Sequence, residues 1–309
     1  MAADDQRALA GHPLRVATRG SNLALTQARL VAALLAEVAE VEVELVVVET
    51  LGDRRTDTPI SALGGQGVFV KEVQAAVLDG RADLAVHSCK DLPSAPELQP
   101  DGLVLAAVPE RGDPRDALVG GRLDDLPPGA TIATGAARRR AQLADLRPDL
   151  TFTDLRGNID TRLGKVPKGG AVVVANAALA RLGLEGEAGE VLGADRFVPQ
   201  VGQGALAVEC RADDGEARER LAGIEHPTSR RAVDAERAWL AELGGGCDLP
   251  AAAHATVDGD GGVRLRALLA TLDGRLVLRA GREGDDPVAT GANLAQAMLD
   301  QGGRLLLEV

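Results

Sequence analysis

The stretch ELGGGCDLP, residues 242–250, sets Cys247 directly after three glycines and just ahead of Pro250. Glycines withdraw the side chains that would bury a thiol, and the proline stops a helix from running on. A thiolate on such an open turn can reach an electrophile in a cleft. A second stretch, HSCKDLP at 87–93, places the cation of Lys90 beside the carboxylate of Asp91 at the carboxyl end of an expected parallel strand, the edge where open α/β sheets bind ligands. Taken alone, Asp91 also suits a loop carboxylate capping the next turn. A third stretch, from Ile132 to Val166, holds seven basic residues (Arg138, Arg139, Arg140, Arg147, Arg156, Arg162 and Lys165) against four acidic ones. Arg138 and Arg139 fall in the first turn of an expected helix, where free N–H groups and the helix dipole favour anions. A cluster of guanidinium forks suits a ligand bearing several carboxylates. The alternative, a solvated helix face, fits Arg140 and Arg147 equally well and fits Arg156 and Arg162 less, because those two follow separate strands.

The elements that must position these groups read as alternating strands and helices. LRVAT (14–18) is an expected strand, and Ser21 can cap a helix through NLALTQARLVAALLAEV, in which Leu and Ala recur at helical spacing. VEVELVVVET (41–50), a helix in VFVKEVQAAVLDG (68–80) and a strand in ADLAVHS (82–88) follow. This order implies a mostly parallel sheet covered by helices. The pattern repeats: TIATG (131–135) into AARRRAQLADL, LTFTDL (150–155) into NIDTRLGKV, and AVVVA (171–175) into NAALARLGL. Beyond FVPQVGQGALAVECR come the helix HPTSRRAVDAERAWLAELGG, short strands joined by DGDGG and LDG turns, and a last helix near NLAQAMLDQGG. That tail reads as a third, smaller α+β unit of antiparallel sheet and helices, whose first helix delivers Cys247.

Composition excludes several functions. The 309 residues suffice for two or three domains. Three Phe, one Trp and no Tyr leave few faces for bases to stack on, which argues against binding single-stranded nucleic acid. The formal charge, 34 − 46 = −12, repels polyanions and anionic membranes, so any anion site must be local. The N-terminal MAADDQRALAGHP has no apolar core, and no apolar run is read as a membrane span, so a cytoplasmic location without membrane contact is expected. Cys89, Cys210 and Cys247 are an odd number without C-x-x-C spacing, indicating neither a disulfide framework nor a metal site.

LRVATRGSNLALTQA, GGQGVFVKE, HSCKDLP, RRRAQL with LRGNIDTRL, VGQGALAVECR and AERAWLAELGGGCDLP occur in one order, and together they resemble the porphobilinogen deaminase (hydroxymethylbilane synthase) family from about Leu14 to Val309. The resemblance implies two periplasmic-binding-protein-like α/β domains plus a small C-terminal α+β domain. Their expected extents are 14–110 with 204–222, 111–199, and 225–309, and the chain is expected to cross near Pro109–Arg115 and Pro199–Gly204. It implies a transferase that condenses four porphobilinogen molecules head to tail, releases ammonia, and frees linear hydroxymethylbilane by hydrolysis. A dipyrromethane cofactor is implied as a thioether on Cys247. Asp91 is implied as the catalytic carboxylate, stabilising positive charge on pyrrole nitrogens, with Lys90 beside it. Lys71, Ser88, Thr134, Arg138, Arg139, Asn158 and Arg162 are implied as cofactor ligands, and Arg19, Ser21, Gln27, Arg156, Arg181 and Gln203 as substrate ligands. The family also implies a monomer. Cys210 suits a buried core thiol, and Cys89 a packing role near the site.

The chain departs from the family pattern at Gln66, where many relatives carry lysine, and at Gly135 and Ala136, where many carry a Ser-Ser pair; weaker contacts to one ring are expected. Two other functions fit parts of the sequence. A non-catalytic anion-binding protein accommodates the arginines and Lys90 but leaves Cys247 without a use. A cysteine hydrolase needs a histidine partner; His87 is expected to pack at a strand end, and His254 is the remaining candidate near Cys247 in sequence.

Overall fold

The computed structural model describes residues 13–39, 41–50, 70–244 and 249–307. Cys247 and Gln66 lie outside them. Strand β1 (Leu14–Arg19) buries Leu14, Val16, Ala17 and Thr18. The Ser21 hydroxyl accepts from the Ala24 amide at 3.3 Å and starts α1 (Asn22–Ala39), which buries Gln27, Ala28, Val31 and Leu35. This one-faced spacing packs the helix on the sheet. Among the described residues α1 is the one helix long and apolar enough to cross a membrane, a feature the sequence reading passed over. One face of it, with Ala28, Val31 and Leu35, packs into the core of the first sheet, while Leu30, Leu34 and Val38 are exposed.

Strands β2 (Val43–Val48), β3 (Leu84–Ser88) and β4 (Leu103–Ala107) and helix α2 (Lys71–Leu78) follow. In the second sheet come β5 (Asp116–Val119), β6 (Thr131–Ala133), α3 (Ala137–Leu146), β7 (Thr151–Thr153), α4 (Ile159–Leu163), β8 (Ala171–Ala175), α5 (Asn176–Arg181) and β9 (Glu190–Val191). The chain then returns as β10 (Leu206–Arg211).

The first sheet has the order β2-β1-β3-β10-β4 and the second β7-β6-β8-β5-β9. In each, the first three strands are parallel and the fourth is reversed: β10 runs against β3 and β4, and β5 against β8 and β9. Both sheets therefore share one plan, and each reversed strand has just crossed from the other sheet. The mostly parallel expectation holds, with that reversed strand as the exception; a chain entering from the opposite sheet arrives pointing the other way.

The two crossings touch. The Gly112 amide donates to the Gly204 carbonyl at 3.1 Å. Gly204 has φ +86°, and a Cβ there would lie 2.4 Å from the Gly112 oxygen, so only glycine fits. The sheets also meet where α1 begins: Leu23 packs against the apolar core of the second sheet, and Asn22 Nδ2 donates to Asp160 Oδ2 at 3.3 Å.

A third, antiparallel sheet joins β11 (Ala251–Val257), β12 (Val263–Ala270) and β13 (Val277–Gly284). Helices α7 (Pro227–Glu242) and α8 (Pro287–Met298) cover one face, enclosing Trp239, Leu265 and Met298; α6 (Gly215–Ala222) packs on the first sheet. The other face sets Ala252, Leu268 and Ala270 against Ala141 of α3 and Val198. Glu236, fully buried on α7, ties this unit to the crossings: Oε1 accepts from Arg111 Nη1 (2.7 Å) and the Ala255 amide (2.8 Å), and Oε2 from Arg111 Nη2 (3.1 Å) and the Gly202 amide (2.7 Å).

Candidate active site

Nearly all the residues singled out in the sequence stand at the carboxyl ends of the parallel strands. Arg19 ends β1 and Ser21 follows it; Ser88, Lys90 and Asp91 end or follow β3; Thr134, Arg138 and Arg139 follow β6; Arg156, Asn158 and Arg162 follow β7; Arg181 closes the helix after β8. Strand β3 is buried from Leu84 to His87, with Ser88 partly exposed at its end, and a short 3-10 turn, Cys89–Asp91, follows. The second crossing clamps that turn. The Cys89 amide donates to the Ala205 carbonyl at 3.0 Å. Gly202 at φ +69° approaches so closely that a Cβ would fall 2.9 Å from Cys89 Sγ and 3.1 Å from the Lys90 amide nitrogen.

Lys90 points along this turn toward the crossing, with Nζ donating to Gln203 Oε1 at 3.4 Å. Burial and the facing guanidinium of Arg139 push its ammonium down, Asp91 and Asp116 pull it back up, and Arg162 lowers it again; it settles at about 8. Arg162 is held down to about 10 by burial and by Arg139, opposed by Asp91, while its Nε donates to the Gly157 carbonyl at 2.8 Å. Lys90, Asp91, Arg139, Arg156 and Arg162 therefore form one cluster of interacting charges drawn from both sheets.

Beneath the cluster lies Asp116, at the start of β5 and fully buried. Its Oδ1 accepts from Arg139 Nε (2.9 Å) and Nη2 (2.7 Å) and from Gln203 Nε2 (3.1 Å). Arg138 Nη1 stands 2.8 Å from Oδ2, an ion pair off the hydrogen-bond line, since that nitrogen donates to the Val198 carbonyl at 2.9 Å. Burial alone would raise the Asp116 carboxyl; Arg138 and Arg139 outweigh it and hold the group well below the usual carboxylate range. Arg138 lies over the Phe197 ring at 5.7 Å, and its buried Nε and Nη2 have no hydrogen-bond partner among the described residues.

Other expected ligands are engaged by the protein itself. Asn158 caps α4, accepting from the Thr161 amide at 2.9 Å; Gln27 and Ser88 bond each other at 2.9 Å; the Thr134 hydroxyl accepts from the Ala136 amide at 3.2 Å. Gln203 is fully buried. Arg181 donates to the Gly204 carbonyl at 2.7 Å and is lowered to about 10 by burial. Lys71 is exposed at the start of α2. Gly135 is required by packing, because a Cβ there would lie 2.8 Å from the Leu155 carbonyl oxygen. Arg140 lies exposed over Phe152, and Arg147 pairs with Asp149. His87 Nε2 sits 3.1 Å from Glu209 Oε2 in the sheet interior. Cys89 and Cys210 are buried.

Asp116, Arg111 and Glu236 escaped the sequence reading. For Arg111 and Asp116 the acid–base alternation in ERGDPRDAL is the one signal, and it does not tell a buried network from a solvated loop; Glu236 lies in AERAWLAEL, where nothing marks it from the other charges of the helix. A surface cavity of about 490 Å³ lies elsewhere, between β4 and α6, away from the charge cluster.

Residues 14–219 match the porphobilinogen deaminase, dipyromethane cofactor binding domain family, and residues 231–300 the porphobilinogen deaminase C-terminal domain family. The porphobilinogen deaminase of Syntrophus aciditrophicus is 46% identical over 303 residues, covering 96% of this chain and 98% of that one. That of Roseiflexus sp. is 48% identical over 301 residues, covering 95% and 98%. A solved structure, immunogenic lipoprotein A from Vibrio vulnificus, aligns at 13% identity with a TM-score of 0.42, covering 70% of this chain and 96% of that one. By both matched domains and by these near full-length relatives, the chain belongs to the porphobilinogen deaminase family.

Proposed function

We propose that the protein is a hydroxymethylbilane-forming transferase that joins four porphobilinogen molecules head to tail on a dipyrromethane primer, releases one ammonia per addition, and frees hydroxymethylbilane by hydrolysis. The observation that carries this reading is the charge cluster in which Asp91 and Lys90 of the first sheet face Arg139 and Arg162 of the second.

The donor set fits a primer bearing several carboxylates. Arg138 keeps two buried nitrogen donors, Nε and Nη2, without a hydrogen-bond partner among the described residues, and α3 has Ala136 as its N-cap with no side-chain cap, where free first-turn amides favour an anion. When bound, the dipyrromethane supplies the terminal pyrrole that receives each new unit. Asp91 accepts hydrogen bonds from pyrrole N–H groups and stabilises the positive charge that develops on them, as a preorganised carboxylate does. Lys90, protonated below about pH 8, binds a substrate carboxylate or passes a proton to the departing amine, and a value near neutrality suits either. Arg138, Arg139, Arg156 and Arg162 hold acetate and propionate groups so that successive rings meet in one geometry, which lowers the entropic barrier to coupling. By the family pattern Arg19, Ser21, Lys71, Gln27 and Ser88 from the first sheet, with Arg181 and Gln203, are assigned to the same ligand. Cys247 anchors the primer as a thioether, between α7 and β11.

The net charge of −12 favours small carboxylate ligands held locally over nucleic acid or anionic membrane, in keeping with a monomer working in the cytoplasm. Intact mass of the purified protein beside Cys247→Ser tests the assignment. Wild type should carry an excess of two pyrrole units and colour with Ehrlich's reagent, and the variant should carry neither. A wild type that stays unmodified after incubation with porphobilinogen would overturn it.

A further inference from the structure

We propose that Asp116 is a positioning residue of this site, which through its own two oxygens and the Gln203 carboxamide fixes Arg138, Arg139 and Lys90 in a single network of alternating charge. The inference rests on the reading of the site given above. It adds a role for a residue that faces neither substrate nor cofactor.

Asp116 is rigidly placed. Its backbone pairs with Ala175 in β8, and its carbonyl accepts from the Leu192 amide at 2.8 Å. Three donors converge on Oδ1 and the Arg138 guanidinium faces Oδ2, while Arg139 Nη1 is tied separately to the Val173 carbonyl at 2.9 Å. Both arginine planes are thereby set. The Gln203 amide has only one tenable orientation. Its Nε2 lies 2.7 Å from the Pro114 carbonyl and 3.1 Å from Asp116 Oδ1, both acceptors, so Oε1 must face the Lys90 ammonium. Carboxylate, amide and ammonium then form a polarised chain in which each bond strengthens the next. The first sheet contributes the lysine, the second the aspartate, and the second crossing the glutamine between them, so the position of Lys90 depends on how the two sheets are joined.

A merely structural ion pair would also be buried and also costly to break. The two roles part at Lys90. Among the described residues the charged groups facing its ammonium include Asp91 on its own turn, Arg139 on α3, Arg162 on α4 and Asp116 on β5. Neutralising Asp116 removes a negative charge that raises Lys90 and leaves both guanidinium groups, so Lys90 must lose its proton more readily.

The test is Asp116→Asn in the purified, cofactor-loaded protein, with lysine labelled by 13C at Cε. The chain has four lysines, and a Lys90→Arg sample assigns the signal. The expected result is a Lys90 titration midpoint lower by roughly one unit, a tenfold change in its proton affinity, with the basic limb of the kcat/KM profile moving the same way. A folded variant whose Lys90 midpoint is unchanged overturns the proposal. Should Asp116→Asn fail to fold, Gln203→Met leaves the ion pairs intact while removing the acceptor for Lys90 and the two bonds the amide donates to the Pro114 carbonyl and Asp116, and Lys90 must again titrate lower; an unchanged midpoint there refutes the idea equally. The titration needs no turnover, so a protein that never consumes porphobilinogen would count against the proposed reaction while the Lys90 midpoint still decides the role of Asp116.

Discussion

Replacing Glu236 by glutamine changes one atom at the junction of all three sheets, and the structure sets the cost. Each carboxylate oxygen accepts two hydrogen bonds, Oε1 from Arg111 Nη1 and the Ala255 amide and Oε2 from Arg111 Nη2 and the Gly202 amide. Whichever way the new amide turns, its NH2 group faces two N–H donors, and the mostly buried Arg111 guanidinium loses its counter-charge. Breaking a buried pair costs about 3–5 kcal/mol, and unsatisfied donors cost about 1–3 kcal/mol each, in part the same energy counted twice. A net loss of about 4 kcal/mol, at about 2 °C per kcal/mol in a chain of this size, lowers Tm by about 8 °C. Trp239 is the sole tryptophan; it lies one helical turn beyond Glu236 on α7 with its side chain fully buried, so its fluorescence reports on this junction without interference. A fall of less than about 2 °C, equivalent to about 1 kcal/mol, would refute the reasoning. The pair Arg111→Met with Glu236→Leu should recover much of the loss, because neither partner then leaves a charge buried alone.

At Gly204 the left-handed backbone and the 2.4 Å approach to the Gly112 oxygen act together, whereas Gly80, at φ +71°, has nothing within 4 Å of its added Cβ. Gly204→Ala should therefore destabilise at least twice as much in denaturant titration as Gly80→Ala, whose cost is the roughly 1–2 kcal/mol of left-handed geometry alone; equal costs would show that the crossings yield freely. Lys90 has its folded pKa lowered from 10.5 to about 8, so below about pH 8 both folded and unfolded chains hold the proton and the full penalty of burying it is present. Between about pH 8 and 10.5 only the unfolded chain holds it, and stability rises with pH. Relative to Lys90→Met, the wild-type protein should gain about 3 kcal/mol across that window in unfolding measured pH by pH. A flat difference would mean that the ammonium is well solvated.

Much of the fold is legible where the signal is local. The alternation in LRVATR, the Ser21 cap with the one-faced spacing that follows, and the apolar run ending in HSCKD each specify an element and its end within a few residues. Other features depend on partners distant in sequence. Nothing in ALAVECR announces that it will enter the first sheet reversed, because strand direction is set by where the chain has been. LTFTDL narrows to Thr151–Thr153, since only those residues have β6 beside them. In the site, the arginines were recognisable by charge and position, but their orientation was not: Arg139 spends its donors on Asp116 and Val173, and Arg181 donates to the Gly204 carbonyl. Gly135 illustrates the converse. It stood out as a departure from a pattern, and its packing against Leu155 supplies a physical reason that only the folded chain reveals.

The position of β10 has a consequence for how the molecule comes into being. Residues 206–211 occupy an interior place between β3 and β4, yet they follow every strand of the second sheet in the chain. During synthesis, β3 and β4 must therefore wait with unpaired edges, side by side with a gap, until the second sheet has been made. Strands left open in this way bring slow, long-range closure and invite wrong pairing. The turn that carries Lys90 and Asp91 is pinned only when Ala205 arrives to accept the Cys89 amide. The order of completion thus inverts the order of translation, and nascent chains cut short before β10 lack the strand and the crossing that hold the reactive turn in place.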